Sequence, residues 1–333
     1  MQDVVDIHAH VVPPRLVQRL ASGRAPGGVT ARRIDAGWVV TVPGSGDTRP
    51  AGVGLTEPAR GQQYRARTGV SRQVLSPWMD IQAGAMPAAE ARAWAGWVNE
   101  AMLELAGDLG VAILGTIDTS DPQRGAADLE QLIRHPAIAG ILLSTNPENG
   151  PPLHHPSFDP VWTVAERLAV PVVLHPPTCG PTQALSTLDG LGNVHGRLID
   201  STVAASELIL HGLLDRHPAL RLVLVHGGGF LPYQARRLDG GYRTGESRRR
   251  SLQRELPSAY LADLYYDTVA LSAPAIAFLA GLVGTGHVLL GTDYPFPLGD
   301  PDPVATVRAA GPPAADTARI LGGNALELFG KPA

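Results

Sequence analysis

Five side chains able to bind a cation or carry a proton sit at the ends of short apolar runs. The stretch "DIHAH" places His8 and His10 two residues apart; His175 ends "VPVVLH", His226 ends "LRLVLVH", and Asp293 follows "HVLLGT". Residues i and i+2 of a β-strand project from the same face, so His8 and His10 can reach one cation. Neutral imidazoles with a carboxylate are the donor set of zinc and similar first-row divalent ions. An HxH pair alone serves structure as often as metal binding. Three further run ends carrying His, His and Asp turn the pair into part of a mixed site, and spacing alone leaves open which of the five are ligands.

Such a site needs elements that bring distant run ends together. Eight apolar, β-rich runs are spaced along the chain: 3–10, 70–77, 111–118, 138–145, 170–176, 220–228, 264–271 and 287–295. Near-continuous apolar strands belong to a parallel sheet buried on both faces. Helical periodicity fills the gaps, as in "PAAEARAWAGWVNEAMLELAGDLG", which ends on Gly110. In "DPQRGAADLEQLIRH", Asp121 is placed as N-cap with Pro122 just inside. "DPVWTVAERLA" and "STVAASELILHGLLDRHP" supply two more helices. Eight strand–helix units predict an α/β fold of the (β/α)8 TIM-barrel type, in which chemistry gathers at the C-terminal strand ends. A doubly wound sheet is the alternative, but no Gly-rich fingerprint follows the first run.

We expect one barrel domain over residues 1–333. Residues 22–66, rich in Gly, Pro, Arg and Thr with one strand at "GWVVTV", form an insertion between the first two strands. Residues 177–200 form a long loop able to line a pocket.

The 333 residues are 44% hydrophobic and 17% charged, with a formal charge of −4, which argues against a nucleic-acid surface. The basic run Arg248–Arg250 reads as a solvated face. The single cysteine, Cys179, excludes an intrachain disulfide and suits a reducing cytoplasm. It reads as a small packing residue rather than a nucleophile. No run is apolar enough to span a bilayer and no leader precedes the first strand, so a cytoplasmic protein without membrane partners is expected. His135, His154, His155, His211, His217 and His287 fall in loops, helices or strand starts and are assigned no role.

The motifs "DIHAHVVPP", "LHPP", "DRHPALRLVLVHGGGFLPY", "VLLGTDYPFPLGD" and "ARILGGNALELFG" resemble the amidohydrolase superfamily. Within it they resemble the branch of non-oxidative decarboxylases typified by aminocarboxymuconate-semialdehyde decarboxylase. The resemblance implies Zn2+, or another divalent ion such as Mn2+, held by His8, His10, His175 and Asp293 with a water. It implies that His226 is a general acid or base and that Asp293 also carries a proton. It implies a homodimer in which Arg237 reaches the neighbouring subunit's site to grip a substrate carboxylate, with Phe296 forming an apolar wall.

The pocket departs from the pattern. Thr41 stands where the family has its second substrate arginine; Arg32, Arg33 and Arg49 lie nearby, and Pro177 replaces a favoured Trp. The loop through Cys179, His195 and Arg197 is long, and His195 is a candidate substrate contact. The expected function is metal-dependent decarboxylation of a small aromatic or unsaturated carboxylic acid. The alternatives are a hydrolase or hydratase of a lactone, cyclic amide or enol acid at the same metal, and a barrel that binds without catalysis.

Overall fold

The computed structural model describes residues 3–23, 25–177, 185, 190–246 and 251–330. Cys179 and Arg248–Arg250 lie outside the described residues.

Strand β1 (Val5–Val11) opens the chain and is followed by α1 (Pro14–Ala21). A three-stranded antiparallel sheet follows: β2 (Thr30–Ile34), β3 (Gly37–Val42) and β4 (Gly46–Asp47). The expected strand "GWVVTV" is the central β3. Helices α2 (Val53–Thr56) and α3 (Pro58–Thr68) lead back to the barrel. Next come β5 (Arg72–Pro77), α4 (Ala88–Leu109), β6 (Ala112–Gly115), α5 (Pro122–Leu132), β7 (Ile138–Ser144) and α6 (Asp159–Arg167). The second half holds β8 (Val172–His175), α7 (Arg197–Leu210), α8 (Leu213–Arg216), β9 (Leu222–Leu224) and α9 (Leu231–Thr244). It ends with β10 (Tyr265–Asp267), α10 (Ala273–Val283), β11 (Val288–Leu289), α11 (Pro303–Ala309), α12 (Ala314–Ala318) and α13 (Asn324–Phe329).

The eight strands β1 and β5–β11 pair in parallel in that order. The circle closes where Ile7 N–H donates to Leu290 O at 3.0 Å and Ala9 bridges Tyr294. This is the (β/α)8 architecture the strand–helix alternation predicts. Every β1 and β8 residue is buried, as strands enclosed on both faces require.

Local signals act as the sequence implies. Gly110 ends α4 at φ 62°, a conformation a Cβ disfavours, and its N–H caps Ala106 O. The Asp121 carboxylate accepts from Arg124 N–H at 3.2 Å with Pro122 in the first turn. The apolar runs overstate strand length: β9 stops at Leu224, and 226–228 is a single 3-10 turn. Hydropathy marks what is buried, whereas pairing stops where the chain must turn across the barrel mouth. Among the described residues, no helix is long and apolar enough to cross a membrane.

Candidate metal centre and its pocket

Four of the five run-end residues converge. His8, His10, His175 and Asp293 are buried, and one donor atom from each lies within 4.8 Å of the others. His8 Nε2 is 3.0 Å from His10 Nε2, and Asp293 Oδ1 lies 3.3 Å and 3.2 Å from these two nitrogens. His175 Nε2 is buried without a hydrogen-bond partner among the described residues. Nitrogens packed this closely beside a carboxylate, one of them orphaned, are a poor hydrogen-bond network and a good ligand set. The residues fit a divalent cation.

Each imidazole is held at its other nitrogen, which fixes the ring and leaves Nε2 aimed inward. His8 Nδ1 is 2.6 Å from Asp267 Oδ2, His10 Nδ1 is 3.0 Å from Ser76 Oγ, and His175 Nδ1 is 2.7 Å from Pro176 O. Asp267 is itself anchored: its Oδ1 accepts from Gly227 N–H at 2.8 Å and Val269 N–H at 3.1 Å. Asp6 lies beneath. It accepts from His8 N–H, Gln73 Nε2, Thr292 N–H and Thr292 Oγ1, tying β1 to β5 and to the turn after β11.

The electrostatics of the cluster suit a cation. Burial pushes His10 down to about 4 and holds His175 well below the usual imidazole value, so both are neutral and ready to ligate. Burial opposes charge on His8 too, but the Asp267 hydrogen bond and the neighbouring carboxylates outweigh it and raise its pKa. Burial likewise opposes charge on Asp293, but hydrogen bonds and charge from His10, His226 and His8 hold it well below the usual carboxylate range. Burial raises Asp6 to about 6 despite its four donors.

His226 borders the cluster without joining its four donors: its ring lies 5.2 Å from those of His8 and His175, its Nε2 is 3.8 Å from Asp293 Oδ2, and its Nδ1 is buried without a partner among the described residues. Both His226 and Asp293 sit at positive φ, 56° and 55°, a backbone cost of about 1–3 kcal/mol each that the surrounding contacts must outweigh. The "GGG" that follows makes the turn possible. At Gly229 (φ 66°) a Cβ would lie 2.2 Å from Leu198 O.

Above the cluster opens a cavity of about 480 Å3 reaching His10, His175, His226 and Asp293. Its walls include Trp78, Phe230 and Phe296; the Phe296 ring lies 5.3 Å from that of His10. Two arginines face it. Arg49 binds Asp80 through Nε (3.0 Å) and an η nitrogen (3.1 Å) and lies over the rings of Trp78 and Phe296 at 5.5 and 5.9 Å. Arg197, largely buried, donates to Asn193 Oδ1 and Pro176 O and lies 4.0 Å from Asp80.

Of the three arginines weighed from sequence, Arg49 alone lines this cavity. Arg32 pairs with Asp47, and Arg33 lies over Trp38 at 5.7 Å. His195 is exposed, its ring 6.3 Å from Phe230. Arg237 is exposed on α9 and lines a separate, shallow groove with Thr202 and Gln234. Sequence reasoning passed over Asp267, Ser76 and the cavity role of Arg197. Asp267 carried a usable signal, since "LYYD" ends a strand as "VVLH" does.

A family model described as amidohydrolase matches residues 5–331. The chain belongs to the amidohydrolase family. It is 28% identical over 218 residues to a 2-amino-3-carboxymuconate-6-semialdehyde decarboxylase of Dictyostelium discoideum, a match covering 65% of this chain and 60% of that relative. The fold superposes on 5-carboxyvanillate decarboxylase of Sphingomonas paucimobilis with a TM-score of 0.79 at 22% identity, covering 99% of both chains. It also superposes on a dihydroxybenzoic acid decarboxylase of Polaromonas sp. JS666, solved with manganese and the inhibitor 2-nitroresorcinol. That match has a TM-score of 0.77 at 20% identity and covers 99% of this chain and 97% of the other.

Proposed function

We propose that this amidohydrolase is a metal-dependent carboxy-lyase that removes CO2 without oxidation from a small aromatic or unsaturated carboxylic acid. The observation that carries the reading is the three-histidine, one-aspartate cluster at the floor of a cavity walled by aromatic rings. Decarboxylases of solved structure share the fold, one of them with manganese bound.

His8, His10, His175 and Asp293 would hold Mn2+ or Zn2+, which when bound supplies positive charge to orient and polarise an anionic substrate. Trp78, Phe230 and Phe296 would wall the cavity around a planar substrate and exclude water. Arg49, already fixed by Asp80, presents its charge to the cavity and is the arginine we assign to substrate binding. His226 and Asp293 face each other at 3.8 Å, a separation that a bound substrate or a small ring rotation closes, and would exchange a proton between Nε2 and Oδ2. Delivered to the carbon that bears the carboxylate, that proton makes the bond to CO2 labile. The C–C bonding pair then stays with the substrate as CO2 departs.

Arg237 is exposed and does not line this cavity, so its role as a carboxylate grip requires a second subunit. We assign it to the site of a partner in a homodimer. His195 is assigned to the rim beside Phe230. Release of labelled CO2 from carboxyl-13C hydroxybenzoic acids, with and without metal, tests the reading.

A further inference from the structure

A second group of metal-binding side chains lies outside the barrel mouth. His154, on the connection after β7, meets Glu207 and His211 at the C-terminal end of α7, and one donor atom from each lies within 4.8 Å of the others. Glu207 Oε2 is 3.2 Å from His211 Nδ1 and 3.6 Å from His154 Nδ1. The two imidazole rings lie 3.9 Å apart, 17° from parallel.

We propose that His154, Glu207 and His211 form a second divalent-cation site, a clamp joining the β7–α6 connection to the end of α7. Two nitrogens and a carboxylate oxygen are the donor set of zinc-like ions. Donor separations of 3.2 and 3.6 Å bracket the edge of a tetrahedron with bonds of about 2.05 Å, which is about 3.3 Å. The last turn of α7 adds the negative end of its helix dipole to the Glu207 charge. All three side chains are about a quarter exposed, which gives ions entry and leaves room for water as a fourth ligand.

Binding makes two local changes. His211 Nδ1 also contacts Glu207 O at 2.9 Å, so the cation replaces the proton shared there. The nearly parallel rings need one to turn so that both lone pairs converge; His154, on a connection rather than a helix, is that ring. The site has a consequence for the cavity, because α7 begins at Arg197, which faces it. A cation at His211 would fix the far end of the helix that carries that guanidinium.

The test is metal counting, independent of catalysis. Protein is equilibrated with Co2+, exchanged into metal-free buffer at neutral pH and analysed for bound metal, with thermal unfolding recorded for every variant. Two equivalents are expected, falling to one in Glu207→Gln and in His154→Asn, and to one in His10→Asn. His154→Asn alters the connection and leaves α7 intact, so it guards against a helix defect in the other variant. Two equivalents that persist in Glu207→Gln overturn the proposal. So does a single equivalent that His10→Asn removes and Glu207→Gln keeps, or no retained metal at all. A single equivalent lost in Glu207→Gln and kept in His10→Asn supports the clamp while refuting the barrel-mouth centre.

Discussion

Replacing Asp267 by Asn separates holding a metal ligand from being one. Asp267 is fully buried, touches His8 Nδ1 at 2.6 Å, and accepts two backbone N–H groups through its other oxygen. An asparagine can keep the contacts to Gly227 and Val269 through its carbonyl. Its amide then points a donor at His8 Nδ1, which must accept, and the proton moves to Nε2, the atom aimed at the cluster. A protonated Nε2 cannot ligate. Loss of such a supporting carboxylate weakens metal binding about 10- to 100-fold, or about 1.4–2.8 kcal/mol. Calorimetric titration of metal-free protein with Mn2+ reads this directly, and circular dichroism checks the fold. Asp267→Asn binding Mn2+ within about threefold of the wild type would refute the argument that Asp267 sets the tautomer of His8.

Three other outcomes follow from the same geometry. His226→Gln should lower turnover about 10²- to 10⁴-fold while bound metal stays constant, since His226 lies outside the four-residue cluster; metal content and kcat measured on one preparation check this. Arg49→Met should reduce kcat/KM about 10- to 100-fold, chiefly through KM, as loss of a charged contact to substrate does; initial-rate kinetics read the split. Gly229→Ala should destabilise the fold by at least about 1–3 kcal/mol, because φ 66° and a 2.2 Å approach to Leu198 O both reject a Cβ; the urea midpoint reports it.

The barrel and its floor were legible because strand ends carry a one-dimensional signal. An apolar run stops at a His or Asp, and the fold brings all eight ends to one face. His8, His10, His175 and Asp293 therefore meet although up to 285 positions separate them, and Asp6 supports them from below. The cavity walls were less legible. Arg49 lies in a segment without periodicity and Arg197 is the first residue of α7; the two converge on Asp80 only through folding, so composition could not rank Arg49 above Arg32 or Arg33. His154 and His211 were assigned no role for a related reason. The i,i+4 spacing of Glu207 and His211 was visible, but the third member comes from another element more than fifty residues earlier. Local pattern finds what one element presents, and packing decides what two elements share.

In the proposed reaction a cation at the barrel mouth drives loss of CO2. Metal-free protein, and the same protein reloaded with Mn2+ or Zn2+, should be offered a panel of carboxyl-13C hydroxybenzoic and unsaturated acids alongside lactones. Labelled CO2 formed in equal amount with the decarboxylated product, only after reloading and abolished in Asp293→Asn, is the predicted result. Metal-dependent opening of a lactone or hydration of an alkene, with no labelled CO2 from any acid, would contradict it.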